Sequence, residues 1–138
     1  MRNAPGREAR RWFGEAVLDL EAARLLRDAG KHHLACFHSQ QAAEKALKGF
    51  LYGQGETIVT GHSIHRLRKL AARYAPELDS LAEARVLDAY YIPPRYPNGV
   101  PSDTVPSEVF GKEQSERAID VSSRLLDAIR RILPPDDG

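Results

Sequence analysis

The chain has 138 residues, of which 28 % are charged and 42 % are hydrophobic, and its formal net charge is +1. These values are typical of one globular domain, residues 1–138, and they exclude a global electrostatic attraction to nucleic acid or anionic membranes, so any such attraction must be local. The single cysteine, Cys36, excludes an intrachain disulfide framework and a multi-cysteine metal site. No apolar run reaches about 18 residues and the first residues lack an apolar core, so we expect a cytoplasmic protein without a membrane span.

Two long helices are predicted first, over about residues 7–29 and 31–52, with Gly30 as a left-handed cap between them. The short connection makes them antiparallel. The first helix carries an apolar stripe of Phe13, Ala16, Val17, Leu20 and Ala23, widened by Leu18 and Leu25. The second turns inward Ala35, Ala42, Ala43, Ala46, Leu47 and Phe50.

A third helix is predicted after the sequence TGHS, and Pro76 ends it and begins the next one. Its inward side chains are Ile64, Leu67, Leu70, Ala71 and Tyr74. Ser80 and Glu83 fit a capping box for a fourth helix that reaches Tyr90. No segment alternates with period two, so the chain is predicted to be an all-α, up-and-down bundle of four to five helices.

The last helix, about residues 112–133, has two adjacent apolar stripes. One consists of Ala118, Val121, Leu125, Ala128 and Ile132, and the other of Ile119, Leu126, Ile129 and Leu133. Two stripes exceed what one intramolecular seam needs, which predicts a two-fold homodimer. The alternative is that both stripes are buried inside the bundle.

The second helix has a polar edge, because His38, Gln41, Lys45 and Lys48 lie at i, i+3, i+7 and i+10. Glu44 and Lys48 also form a favourable i, i+4 pair. This edge is either a solvated face or, since alanines flank it, part of a contact. The third helix has a basic edge made by His62, Arg66, Lys69 and Arg73, which could hold phosphates or could simply be solvated.

A proline-rich loop occupies about residues 91–111 and contains five prolines. Loops of this length inside a domain are usually functional or disordered. Its aromatic and cationic residues, Tyr90, Tyr91, Arg95 and Tyr96, could stack a base and hold a phosphate, or could pin the loop to the bundle.

The sequence predicts no metal and no cofactor. His62 and His65 have chelating i, i+3 spacing, but no carboxylate or cysteine close in sequence completes a ligand set. The chain contains neither a nucleophile elbow nor a phosphate-cradling glycine loop, so the sequence does not support a hydrolase triad.

The ordered sequences ARLLRDAGKHHLACFHSQQAAEKALKGFLYGQG, GHSIHRL and YYIPPRYP, followed by an amphipathic helix, resemble the HEPN domain family. The resemblance implies a helical bundle that is commonly dimeric and often encoded beside a small nucleotidyltransferase, in pairs that behave like toxin and antitoxin. It also implies that Gln41, Glu44 and Lys48 fix helix contacts and border a cleft beside the proline-rich loop. Many members carry a ribonuclease motif, an arginine followed after four to six residues by a histidine.

This chain departs from that motif. Arg95 is the arginine nearest the expected place, but Val100, Pro101 and Ser102 stand where the histidine belongs, and no histidine follows His65. The only formal matches pair Arg27 with His32 or His33, far from the family's location. Without that imidazole, metal-free RNA cleavage lacks its usual proton-transfer group.

The expected function is therefore a non-catalytic nucleotide- or RNA-binding module paired with a nucleotidyltransferase. A divergent metal-free ribonuclease and a structural dimer or adaptor are the alternatives. An anionic ligand is expected between the proline-rich loop and the second helix, where Arg95 contacts phosphate, Tyr91 or Tyr96 stacks, and Lys45 or Lys48 adds charge. The competing location is the basic edge His62, Arg66, Lys69 and Arg73.

Overall fold

The computed structural model describes residues 4–135, which form helices and loops and contain no strand. The α-helices are α1 Pro5–Asp28, α2 His32–Gly53, α3 Ile64–Ala72, α4 Pro106–Val109 and α5 Lys112–Ile132. Two 3₁₀ segments, Pro76–Tyr90 and Pro97–Gly99, lie between α3 and α4. The predicted all-α bundle is confirmed. The predicted domain bounds 1–138 and the end of the terminal sequence PPDDG extend outside the described residues. No described helix is long and apolar enough to cross a bilayer.

The connection between α1 and α2 is a Schellman motif at the glycine that the sequence indicated. Gly30 has a φ of +76°. The Lys31 amide donates to the Leu26 carbonyl at 2.7 Å and the Gly30 amide donates to Arg27, which satisfies the last carbonyls of α1. The helices then pack so closely that a Cβ on Gly49 would lie 2.6 Å from the Trp12 Cβ.

The apolar stripe of α1 is narrower than predicted. Leu18 and Leu25 are exposed, because they lie on the side of α1 that no other element covers. α2 is instead buried on most of its surface, since it packs against α1, α3, α5 and the Pro76–Tyr90 segment. The six inward residues predicted for α2 are all buried. Cys36 is buried too, and burial raises the pKa of its thiol to about 12.

Both apolar stripes of α5 are used inside the bundle. Ile119, Leu126 and Ile129 are buried, as are Ala118, Val121 and Leu125, and the remaining members pack against the core. The reason given for a homodimer, a spare apolar stripe, is therefore wrong. The homodimer itself stays a prediction.

The segment between α3 and the proline-rich loop differs from the prediction. Pro76 does begin a helical segment, but this is a 3₁₀ run with a kink at Leu81. The Ser80–Glu83 capping box is wrong, because the Ser80 hydroxyl donates to the Glu77 carbonyl and Glu83 accepts from an α5 arginine. Tyr74 is not inward either: it is 46 % exposed, and its hydroxyl donates to Glu56.

The proline-rich loop lies against the bundle. Pro94 and Pro106 are buried, and Phe110 packs edge-on against Tyr90 with ring centroids 5.9 Å apart. A Cβ on Gly99 would lie 2.7 Å from the Pro93 Cα, so the loop also folds closely on itself. These contacts hold residues 91–96 beside α2 and the start of α3.

Candidate anion-binding site

A carboxylate on α2 is the centre of a polar cluster. Glu44 is only 7 % exposed, and it accepts hydrogen bonds from three groups. The donors are Lys48 Nζ at 3.1 Å, His62 Nδ1 at 3.1 Å and Gln40 Nε2 at 3.2 Å. Glu44 thus neutralises the buried Lys48 ammonium and ties α2 to the residue that precedes α3.

The backbone around His62 is fixed by two side chains from other elements. Gln40 donates to the His62 carbonyl at 3.0 Å. Asp88, from the Pro76–Tyr90 segment, caps α3 by accepting from the Ser63 hydroxyl at 3.0 Å and from the Ile64 and His65 amides. A carboxylate at a helix N-terminus is stabilising there, so α3 begins in a defined place and His62 with it.

The His62 ring joins α2 to the proline-rich loop. Its Nδ1 lies against Glu44, and its Nε2 lies 3.2 Å from the Tyr91 hydroxyl. The carboxylate assigns the proton to Nδ1, so in the neutral ring Nε2 accepts from Tyr91. The two rings also stack, with centroids 4.2 Å apart and 15° between planes. The side chain of His62 nevertheless remains 52 % exposed.

Arg95 presents a guanidinium that is held by aromatic rings instead of by a carboxylate. Its Cζ lies over three ring centroids, at 4.5 Å for Tyr91, 4.6 Å for Phe37 and 5.0 Å for Tyr96. Its Nε donates to the Tyr91 carbonyl at 2.8 Å. Within residues 4–135 its two terminal nitrogens make no hydrogen bond or ion pair. A half-buried cation without a counter-ion is arranged to attract an anion.

A second cluster with similar residue types lies between α1 and α2. Asp19 is paired with Lys45 Nζ at 2.6 Å and with His38 Nδ1 at 3.2 Å. Burial alone would raise the pKa of Asp19, but the hydrogen bonds and charges of His38 and Lys45 outweigh it and lower that pKa. Each cation of this cluster has a partner within it.

The predicted polar edge of α2 is therefore divided. His38 and Lys45 turn toward α1, Lys48 turns toward Glu44, and Gln41 donates to Gln40. Of the predicted ligand residues, the structure brings together Arg95, Tyr91 and Tyr96, connects them to Lys48 through His62 and Glu44, and pairs Lys45 elsewhere.

The basic edge of α3 is exposed over Arg66, Lys69 and Arg73. Arg66 donates to the Thr60 carbonyl at 2.9 Å. Arg66 and Arg73 line a cavity of about 370 Å³, whose other walls are largely apolar and include Ile58 and Tyr74. His62, the fourth member of this edge, is the residue that contacts Tyr91.

Sequence reasoning missed three contributors: Phe37 beneath Arg95, Asp88 at the start of α3, and the pairing of His62 with Glu44. The last two join residues 25 and 18 positions apart, across three different elements. The i, i+4 series Gln40, Glu44 and Lys48 was visible in the sequence and indicates a side-chain ladder, but it does not indicate the partner. Within the described residues no group of three His, Cys, Asp or Glu side chains could hold a metal ion.

The arrangement supports two kinds of chemistry. The guanidinium and its rings can hold a phosphate and stack a base. The His62 imidazole, held by Glu44, is also a side chain of the type that serves in general acid–base catalysis.

Known proteins resemble this chain over most of its length. A model of the HEPN domain matches residues 9–132. The protein named "Putative toxin MJ1304", from Methanocaldococcus jannaschii, is 26 % identical over 138 residues, which is 94 % of this chain and 91 % of that protein. The crystal structure of TT1696 from Thermus thermophilus is 35 % identical with a TM-score of 0.79, covering 91 % of this chain and 98 % of that one. The crystal structure of ST0689, an archaeal HEPN homologue, is 32 % identical with a TM-score of 0.74, covering 97 % and 100 %.

Proposed function

This chain belongs to the HEPN domain family, and on that premise we propose that it is a toxin-like protein whose domain binds the phosphate and base of a nucleotide or RNA without cleaving it. The observation that carries the proposal is the Arg95 guanidinium, stacked on three rings and without a carboxylate partner in residues 4–135. The relative named as a toxin supports the toxin-like part.

The electrostatics favour an anion at Arg95. A charge-assisted hydrogen bond to phosphate contributes about 1.5–3 kcal/mol, and a base stacked on an aromatic ring contributes about 1–3 kcal/mol. Tyr96 is exposed beside the guanidinium and can offer its free face to a base. The site needs little reorganisation, because Arg95 is already oriented by its bond to the Tyr91 carbonyl.

The proposed partners are a second copy of the chain and a small nucleotidyltransferase. Both rest on the family. Light scattering at micromolar concentration measures whether the chain forms a homodimer, and a monomeric mass would contradict that proposal. Co-purification from the native source tests for the nucleotidyltransferase. Failure to recover a nucleotidyltransferase together with failure to bind any nucleotide would favour a structural adaptor.

The binding proposal is tested by titrating a fluorescent adenine nucleotide and a short RNA against wild-type protein and Arg95→Gln. We expect the variant to bind about ten-fold more weakly or worse, because it loses a charged hydrogen bond. Arg131→Gln is the matched control: Arg131 is exposed on α5 and forms no ion pair in the described part of the chain. If Arg66→Gln lost affinity and Arg95→Gln did not, the site would be misassigned. Unchanged binding in both Arg95→Gln and Arg66→Gln would refute the binding proposal.

A divergent metal-free ribonuclease is the second candidate, and the His62–Glu44 pair favours it. His62 supplies an imidazole, which this chain lacks at the place of the family's motif, and the Tyr91 ring lies between it and Arg95, which could hold the phosphate. The two candidates separate in an RNA cleavage assay with EDTA. A binding module predicts only the trace cleavage of a mock purification. Robust cleavage that disappears in both His62→Gln and Arg95→Ala would establish the ribonuclease instead.

A further inference from the structure

The sequence offers two cationic surfaces as alternative binding sites, the aromatic rings around Arg95 and the basic edge of α3. His62 connects them. This residue is the first member of the α3 basic edge, and its ring stacks on Tyr91 at 4.2 Å. The Tyr91 ring in turn lies 4.5 Å from Arg95 Cζ. The surface thus runs from Arg95 past His62 to Arg66 and on along α3.

Three cations of α3 and its C-terminal end, Arg66, Lys69 and Arg73, form no ion pair in the part of the chain that the structure describes. Arg66 donates only to the uncharged Thr60 carbonyl. Two carboxylates near this surface have hydrogen-bond partners of their own. Glu56, which lines the cavity together with Arg66 and Arg73, accepts from the Tyr74 hydroxyl at 2.6 Å, while Asp88 caps α3.

The length of the surface exceeds one nucleotide. Along the nine residues of α3 a helix rises about 13 Å, whereas stacked nucleotides of one strand are about 3.4 Å apart. The far end also brings an arginine and a tyrosine to one cavity. Arg73 and the exposed Tyr74 line the cavity of about 370 Å³ there, with Ile58, which is 77 % exposed, at its side.

We propose that these surfaces form one track for a single-stranded oligonucleotide, with a base at the Arg95 rings, phosphates on Arg66 and Lys69, and a second base in the cavity beside Tyr74. This inference rests on the proposed function and narrows its ligand from a nucleotide or RNA to a strand of several phosphates. Binding along the track depends on length, which binding at Arg95 alone does not.

The test uses fluorescein-labelled oligouridylates of two, four and eight nucleotides, with a fluorescent mononucleotide as reference, measured by anisotropy on the full chain. We expect affinity to rise at least about ten-fold from mononucleotide to octamer, since each added phosphate and stacked base contributes. The double variant Arg66→Gln/Arg73→Gln is expected to lose that gain and keep the mononucleotide affinity. The slope of log K against log salt for the octamer should become shallower by about 1.4, or about 0.7 per cation.

The controls separate this inference from the proposed function. Arg117→Gln/Arg131→Gln removes two exposed charges from α5 and is expected to keep the length dependence. An octamer that binds no tighter than a mononucleotide, or a length gain that survives Arg66→Gln/Arg73→Gln, would overturn the track and leave the Arg95 site standing. Polyglutamate that competes as well as the octamer would make this an acidic-polypeptide surface and would also overturn it. If neither oligouridylate nor mononucleotide binds, both proposals fail. Retained mononucleotide affinity in the double variant shows that it is folded.

Discussion

Two clusters on α2 contain the same three kinds of side chain, a carboxylate, a histidine and a lysine. In one, Asp19 of α1 holds His38 and Lys45. In the other, Glu44 holds Lys48 and His62. Residue type therefore does not distinguish a structural link from a candidate binding site. Their surroundings do.

The difference lies in what each cluster leaves unpaired. The Asp19 cluster is closed, because its carboxylate is shared between Lys45 and His38 and both belong to the α1–α2 seam. The Glu44 cluster is open on one side, where the His62 ring meets Tyr91 and the Arg95 guanidinium has only aromatic neighbours. An unpaired cation beside flat rings can accept a ligand, whereas a compensated one mainly stabilises the helix pair.

The largest effect is expected from breaking the more buried cluster. Glu44→Gln leaves the Lys48 ammonium buried without its counter-charge, which should cost about 3–5 kcal/mol of unfolding free energy. Urea unfolding followed by the fluorescence of Trp12, the only tryptophan, measures it. Asp127→Asn, which removes an exposed α5 carboxylate, is the control and should cost under about 0.5 kcal/mol. Equal losses in the two variants would mean that the Glu44 cluster does not stabilise the fold.

Breaking the closed cluster should cost less and should depend on pH. Asp19→Asn removes a carboxylate held by Lys45 and His38, at a cost of about 2 kcal/mol near neutral pH. The pKa of Asp19 is lowered from 3.8 in the folded state, so its stabilisation is present above 3.8 and is lost as the pH falls through the folded pKa. The difference in unfolding free energy between wild type and variant, measured with urea from pH 7 to pH 3, should therefore shrink toward the acid end. A constant difference would contradict this account.

Substitution of His62 and of His38 should distinguish an effect on binding from an effect on the fold. His62→Gln is expected to weaken nucleotide or oligouridylate binding by about ten-fold, because it removes the ring between Tyr91 and the basic edge. His38→Gln should leave binding unchanged, since His38 belongs to the closed cluster. Anisotropy titrations of the two variants make the comparison directly. Equal loss in both would show that the distinction between the clusters is wrong.

The smallest effect is expected from one ring under Arg95. Phe37→Leu keeps an apolar side chain but removes one of three cation–π contacts, which should weaken nucleotide binding by about two- to five-fold. Phe13→Leu is a matched control, because the Phe13 ring lies 5.4 Å from the Arg130 guanidinium, in the contact between α1 and α5. If binding affinity and the free energy of unfolding fell together, and by the same amounts in Phe37→Leu and Phe13→Leu, the loss of binding would be an effect of packing.

Much of the fold was predictable because apolar periodicity and capping act locally. The end of α1 at Gly30 follows from one residue that tolerates positive φ, and the buried face of α2 follows from the spacing of its alanines. The segment after Pro76 was predicted less well. There a 3₁₀ run replaces the expected α-helix, and Ser80 bonds backward to Glu77 instead of capping forward.

The candidate site was predictable only in its parts. The sequence and its resemblance to HEPN domains indicated Arg95, Tyr91 and the basic edge, because aromatic and cationic residues in a long loop favour phosphate and base chemistry. The sequence also indicated that the two apolar stripes of α5 exceed one intramolecular contact, although both are used inside the bundle.

The sequence by itself determined an all-helical chain, its principal helices, its family, and the residue types available for binding. Only the tertiary structure decided that Lys45 pairs with Asp19, that His62 contacts Glu44 and Tyr91, and that Arg95 is left without a counter-ion in the described chain. The physical reason is range. Helix formation depends on neighbours within a few positions, whereas charge compensation depends on groups that folding brings together from distant positions.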